Sequence, residues 1–152
     1  ITAAQPPWTY IATAEAGDEE MVARINMHRE RRDASWHTIE APREIAAALV
    51  ECATRPVLVD CLTLWLSNLM LAHADIDREI GLLEKALQAM KMPVVLVANE
   101  VGLGIVPDHP LGRQFRDWQG VLNQRMAARA DHVILMVAGL PLVIKGNSEA
   151  RQ

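Results

Sequence analysis

Two apolar runs constrain this chain more than any other feature. Val57-Leu58-Val59 follows Pro56 and ends on Asp60, and Val94 to Ala98 follows Pro93 and ends on Asn99-Glu100. Neither run alternates polar with apolar residues, as a strand with one wet face would. Unbroken Val/Leu strands are the pattern of a parallel sheet covered on both faces, and parallel strands need long, usually helical, crossovers. The intervening sequence supplies them. Leu62 to Ala74 and Asp77 to Met90 read as helices, the second with Ile80, Leu83 and Leu87 on one side. The chain is therefore expected to be α/β, with a mostly parallel central sheet.

Other segments extend the alternation. Trp8 to Ala14 reads as a strand running into a loop. Gly17-Asp18-Glu19-Glu20 opens a helix through about Arg32, with acids in its first turn and arginines in its last, matching the helix dipole. Met21, Ile25 and His28 fall on one face of it. Trp36 to Glu40 is a short strand, and Pro42 begins a helix over Arg43 to Ala53. Pro110 to Arg129 is the last helix. His132 to Ala138 reads as a third buried strand, with Leu142 to Lys145 an edge strand after Gly139. With no repeat, linker or low-complexity stretch, residues 1–152 are expected to form one domain.

Composition bounds the function. At 51% hydrophobic and 22% charged, the 152 residues exclude extended disorder. A net charge of −4 lacks the basic excess of a nucleic-acid binder. Yet twelve arginines stand against three lysines, and Arg is the forked ligand of phosphate and carboxylate. Cys52 and Cys61 form neither a disulfide framework nor a metal-ligand spacing, as expected of a reducing cytoplasm. Val57 to Leu66, the longest apolar run, is broken by Asp60 and too short for a bilayer, so no membrane span is expected.

Ligands of open α/β sheets bind beyond the carboxyl ends of the strands, where this sequence sets Thr13, Glu15, Glu40, Asp60, Asn99 and Glu100. Asp60 is placed either to hold Mg²⁺ beside phosphates or to cap the helix that begins near Leu62. Glu100, before Gly102 and Gly104, suits a substrate or metal crevice, or a tight turn. His28 has Arg24, Arg29, Arg31 and Arg32 within four residues of it. Such cations favour a neutral, nucleophilic imidazole beside a polyphosphate; the alternative is a dipole-matched helix end. The histidines lack zinc spacing. Arg113, Arg116 and Asp117 form a surface network or face the crevice.

The order of these motifs resembles the bifunctional adenosylcobinamide kinase / adenosylcobinamide-phosphate guanylyltransferase family. Tyr10 to Ala14, Asp18 to Arg29, Val59 to Thr63, Asn99-Glu100-Val101-Gly102-Leu103-Gly104-Ile105-Val106-Pro107 and Phe115 to Arg125 carry the likeness, from about Trp8 to Gly146. It implies a three-layer, P-loop NTPase-like (RecA-like) fold. It also implies phosphorylation of adenosylcobinamide by GTP or ATP, followed by transfer of GMP from GTP through a guanylyl-histidine. His28 matches that histidine. Ala12, Thr13, Ala14, Arg29, Glu30, Arg31, Arg32, Glu40 and Asp60 match nucleotide-binding positions, Asp60 acting through Mg²⁺. The family implies a cytoplasmic homotrimer. One part is absent: the sequence contains no G-x-x-x-x-G-K-[ST] phosphate loop, and Ile1 to Ala4 resembles the end of the helix that should follow it. An N-terminal strand, loop and helix are accordingly expected ahead of Ile1.

Overall fold

Pro56 and Pro93 do end the preceding segments, and the apolar runs after them are strands. The computed structural model describes residues 1–17, 19–30 and 32–146, with only the backbone described at Arg24. Four strands form the parallel main sheet: β1 (Trp8–Ala12), β2 (Trp36–Glu40), β3 (Val57–Asp60) and β4 (Val94–Val97), in the order β2-β1-β3-β4. The helices are α1 (Glu19–Glu30), α2 (Ile45–Glu51), α3 (Leu62–Leu71), α4 (Ile76–Ala89) and α5 (Pro110–Arg129). Helix α2 aside, the boundaries follow the sequence closely. The helix expected from Arg43 starts instead at Ile45, because nothing caps it earlier: Glu44 stands at its N-cap without a side-chain hydrogen bond.

Chain order fixes which helix covers which face. The β1-to-β2 crossover runs one way along the sheet, whereas β2-to-β3 and β3-to-β4 run the other. Right-handed crossovers therefore put α1 on one face and α2, α3 and α4 on the opposite face. The second face carries the core. Ile11, Val57 and Val59 are fully buried there with Ile45, Leu49, Leu62, Leu66, Ile80 and Leu83, and Leu122 of α5 closes the cluster. Trp65 lies at its centre, with its indole N–H donating to the Arg43 carbonyl at 2.7 Å.

Two expectations of burial fail. Val95 and Val97 of β4 are 39% and 38% exposed, because α1 overlies the β1–β2 half of its face and leaves β4 uncovered. The third apolar strand, β5 (Val133–Val137), does not join the main sheet. It pairs antiparallel with β6 (Leu140–Lys145) and remains largely exposed. The turn decides this pairing. Ala138 and Gly139 both take positive φ (51° and 77°), the backbone of a two-residue hairpin whose twist suits antiparallel strands.

Outside the core, α4 and α5 are joined by ions. Arg125 forks onto Glu84 at 2.6 and 3.0 Å and reaches Asp77 at 2.6 Å, while Arg129 meets Glu84 at 3.1 Å. Hydrogen bonds from Arg125 hold the mostly buried Glu84 carboxyl down at about 2. A depressed carboxylate stabilises the fold above its unfolded value near 4.5, and that stability is lost as pH falls toward 2. Partial exposure of both arginines limits the network to about 1–2 kcal/mol. Glu84→Gln should thus lower the urea midpoint at pH 7, and the gap from wild type should close between pH 4.5 and 2. A gap independent of pH would refute the ionic origin. No helix among the described residues is long and apolar enough to cross a membrane.

Candidate functional site

The reversal of direction between the β1-to-β2 and β3-to-β4 connections makes a topological switch point between β1 and β3. That is where α/β sheets bind ligands. Register determines what lies there. Glu40, Ala12, Asp60 and Val97 are direct neighbours across the four strands, and Thr38, Tyr10, Leu58 and Val95 form the row beneath. Side chains alternate along a strand, so both rows face the side on which α1 lies. Between them runs a crevice of about 610 Å³, walled by Met21, Ile25, His28, Arg29 and Arg32 and floored by Tyr10, Ala12, Thr38, Glu40 and Asp60.

Ala12 is the hollow in this floor. Neighbouring strands lie about 4.8 Å apart, so its methyl group separates two carboxylates that larger side chains would crowd. On the expectation that a nucleotide sits here, Ala12→Leu should fill the hollow and weaken GTP binding about tenfold to a hundredfold while leaving the fold intact, measurable by calorimetric titration. Unchanged affinity would show that nothing sits over Ala12. Ala14 also lines the crevice.

Thr13 points the other way. It is fully buried, and its hydroxyl donates to the Cys61 carbonyl (2.8 Å) and accepts from the Cys61 N–H (2.7 Å). Asn68 binds the Thr13 carbonyl at 2.8 Å. Thr13 therefore bolts the end of β1 to the end of β3 from behind, rather than offering its side chain to a ligand. Sequence reasoning missed Asn68; a lone amide inside a helix gives no such signal.

Asp60 does not cap α3. Cys61 occupies that N-cap, and the Asp60 carboxylate instead accepts from the Tyr10 hydroxyl at 2.7 Å. Burial of the phenol, and then the nearby carboxylate, push the Tyr10 pKa well above its ordinary value. The Arg32 guanidinium lies 3.9 Å above the Tyr10 ring centre. Arg29 pairs with Glu40 across the crevice mouth. Both partners are more than half exposed, so this pair contributes little to stability and is open to exchange with a ligand. His28 stands exposed on the α1 wall, in line with Met21 and Ile25 as the helical spacing predicts. Glu30 is exposed at the end of α1 and does not line the crevice. Arg31 lies outside the described residues, as does Asp18.

Glu100 and Gly102 are not brought to the crevice floor. The Glu100 carboxylate folds back onto its own loop, accepting from the Gly102 N–H at 2.7 Å and from Asn123 at 3.4 Å. A Cβ at Gly102 would lie 2.7 Å from that carboxylate oxygen, so a larger residue there would push the Glu100 side chain aside. Arg116 donates to the Gly102 carbonyl (2.6 Å), and Arg113 to those of Pro107 (3.1 Å) and Asp108 (2.5 Å). These arginines lash the loop after β4 to α5, a role between the two expected of them. A smaller apolar cavity of about 290 Å³ between α3 and α5 has no cation to grip a phosphate.

Among the described residues no three His, Cys, Asp or Glu side chains converge as a metal site. A single strand-end carboxylate nevertheless suits Mg²⁺, which keeps most of its waters and arrives bound to phosphates. Asp60 fits that use, because only one of its oxygens is held by Tyr10.

Comparison with known proteins agrees with this geometry. Residues 1–144 match the family model described as cobinamide kinase / cobinamide phosphate guanyltransferase. The bifunctional adenosylcobalamin biosynthesis protein CobP of Pseudomonas aeruginosa is 47% identical over 142 residues, covering 91% of this chain and 82% of that protein. Its CobU counterparts of Salmonella typhimurium and Escherichia coli are 40% and 38% identical, covering 92% and 90% of this chain and 87% and 84% of theirs. A switch-point crevice with a histidine and arginines on one wall and carboxylates on its floor, together with a match spanning nearly every residue, establishes that the chain belongs to the cobinamide kinase / cobinamide phosphate guanyltransferase family.

Proposed function

We propose that this protein phosphorylates adenosylcobinamide and then attaches GMP to the product, making adenosylcobinamide-GDP for cobalamin biosynthesis. In the first reaction the aminopropanol hydroxyl of the corrinoid attacks the γ-phosphorus of GTP or ATP, and the nucleoside diphosphate leaves. In the second, a neutral imidazole nitrogen of His28 attacks the α-phosphorus of GTP. A P–N bond forms, the P–O bond to the leaving group breaks, and pyrophosphate departs. The phosphate of the corrinoid then displaces the imidazole and takes the guanylyl group.

One observation carries this reading: His28 shares a crevice with Arg29, Arg32, Glu40 and Asp60 at the switch point of the sheet. Arg32 has no carboxylate partner among the described residues, which leaves its guanidinium for phosphate oxygens. Ala12 and Ala14 give room for the nucleotide, and Thr13 holds the floor beneath it. The family resemblance also matches Glu30 and Arg31 to nucleotide contacts. Asp60 would hold Mg²⁺ together with the phosphates, and the ion would neutralise part of the triphosphate charge. We further infer a cytoplasmic homotrimer, in keeping with the unpaired thiols of Cys52 and Cys61 and with the exposed apolar residues of β5, β6 and the 103–106 loop.

GTP labelled at the α-phosphorus tests the central step. Label should remain on the protein after denaturation, stable to base and labile to acid as a phosphoramidate is. It should leave on addition of cobinamide phosphate. Label that never forms, or that cannot be chased, would overturn the histidine route.

A further inference from the structure

Tyr10 is the chain's one tyrosine. It lies in the second row of the crevice floor, one alternation beneath Ala12, between Thr38 and Leu58. Packing accounts for its ring: the Trp36 indole meets it edge-on at 6.3 Å, and Trp36 in turn contacts Trp8 at 5.3 Å. Packing does not account for its hydroxyl. Phenylalanine would fill the same space, whereas the phenol oxygen is carried to the crevice floor and spent on one oxygen of Asp60 at 2.7 Å.

The face of the ring is equally committed. The Arg32 guanidinium, from just beyond the end of α1, rests 3.9 Å from the ring centre. One side chain thus sets the position of a cation from the α1 end and of a carboxylate from the β3 end. Their functions are opposed, since one attracts phosphate and the other repels it. A triphosphate can occupy the crevice only if the two are kept apart, and no direct Arg32–Asp60 ion pair forms among the described residues. A flexible arginine left beside a free carboxylate would close that pair and cover the hollow at Ala12. Tyr10 engages the two groups separately, Asp60 through its hydroxyl and Arg32 over its ring. A cation–π contact is also weaker than forked, charge-assisted bonds to phosphate, so Arg32 can be drawn off the ring by a nucleotide while Asp60 stays tethered.

We propose that Tyr10 is a positioning residue of this site, holding Asp60 by its hydroxyl and Arg32 by its ring so that the crevice stays open for the nucleotide. This rests on the nucleotide reading of the crevice and adds a residue to it. Because Tyr10 is the lone tyrosine, replacing it with 3-fluorotyrosine gives one ¹⁹F resonance that reports on the ring directly. Saturating GTP with Mg²⁺ should shift that resonance, and Asp60→Asn should shift it in the free protein.

Tyr10→Phe should keep the thermal midpoint near wild type and, at saturating Mg²⁺, the KM for GTP. It should slow formation of guanylylated protein about tenfold, as expected for loss of one hydrogen bond to a charged group. It should also raise the Mg²⁺ concentration needed for half-maximal GTP binding, which a residue that merely packs would not do. Tyr10→Leu should in addition weaken GTP binding, by freeing Arg32 to close on Asp60. A resonance unmoved by GTP, or Tyr10→Phe with wild-type rate and Mg²⁺ dependence, would overturn the proposal even if His28 is labelled normally. A GTP-dependent shift with altered Mg²⁺ dependence in Tyr10→Phe would support it even if no label forms on the protein.

Discussion

His28→Asn is expected to leave no guanylyl label on the protein and to cut GMP transfer by at least about three orders of magnitude, the usual scale for removing a nucleophile. Asparagine keeps the polarity and much of the size of the side chain but offers no nitrogen able to attack phosphorus. His28 is exposed at the end of α1, so the thermal midpoint should not move and GTP should still bind. Phosphorylation of cobinamide, which needs no imidazole, should largely survive. The separation of the two reactions is the informative result. Label persisting in His28→Asn would require another nucleophile, and no other histidine offers one. His37, His73, His109 and His132 do not line the crevice, and His109 uses its ring to cap α5 through the Leu111 N–H.

Trp65→Ala should have the largest effect on stability. Its indole is 1% exposed at the centre of the core, and removing it leaves a void costing about 3–5 kcal/mol. The Arg43 carbonyl, bonded at 2.7 Å, would also lose its donor, at about 1 kcal/mol or more. Against a typical total of about 5–15 kcal/mol, such a loss is a large fraction. The thermal midpoint should fall by roughly 10 °C or more, read by circular dichroism. Trp65→Phe should recover the greater part, since it refills the core and forfeits only the hydrogen bond. A shift under about 2 °C for the alanine variant would mean that the core repacks around the gap.

Local signals made much of this protein legible. Proline punctuation and unbroken valine runs gave β3 and β4, dipole-matched charges gave α1, and Pro110 gave the first residue of α5. The same signals misplaced the outer strands. Val133 to Val137 has the composition of a buried strand, but the Ala138-Gly139 turn commits it to a hairpin. Val95 and Val97 look like core until the crossovers put α1 over only half of their face. Of the strand-end carboxylates, Asp60 and Glu40 lie on the crevice floor. Glu100 carried the same signal, yet its neighbouring glycine let it fold onto its own loop.

The sequence by itself determined the class of fold, the direction of its strands and the end of the sheet at which ligands bind, because hydrophobic runs, breakers and helix ends act over a few residues. Its order of motifs, through the family resemblance, singled out His28, which the structure sets on the crevice wall with Arg29 and Arg32. Only the tertiary structure decided which strand-end residues share a floor. That depends on register and strand order, which no local pattern contains: Ala12 lies between Glu40 and Asp60 because β1 lies between β2 and β3. The same long-range pairing turned Thr13 inward and brought Tyr10, fifty residues away in sequence, against Asp60.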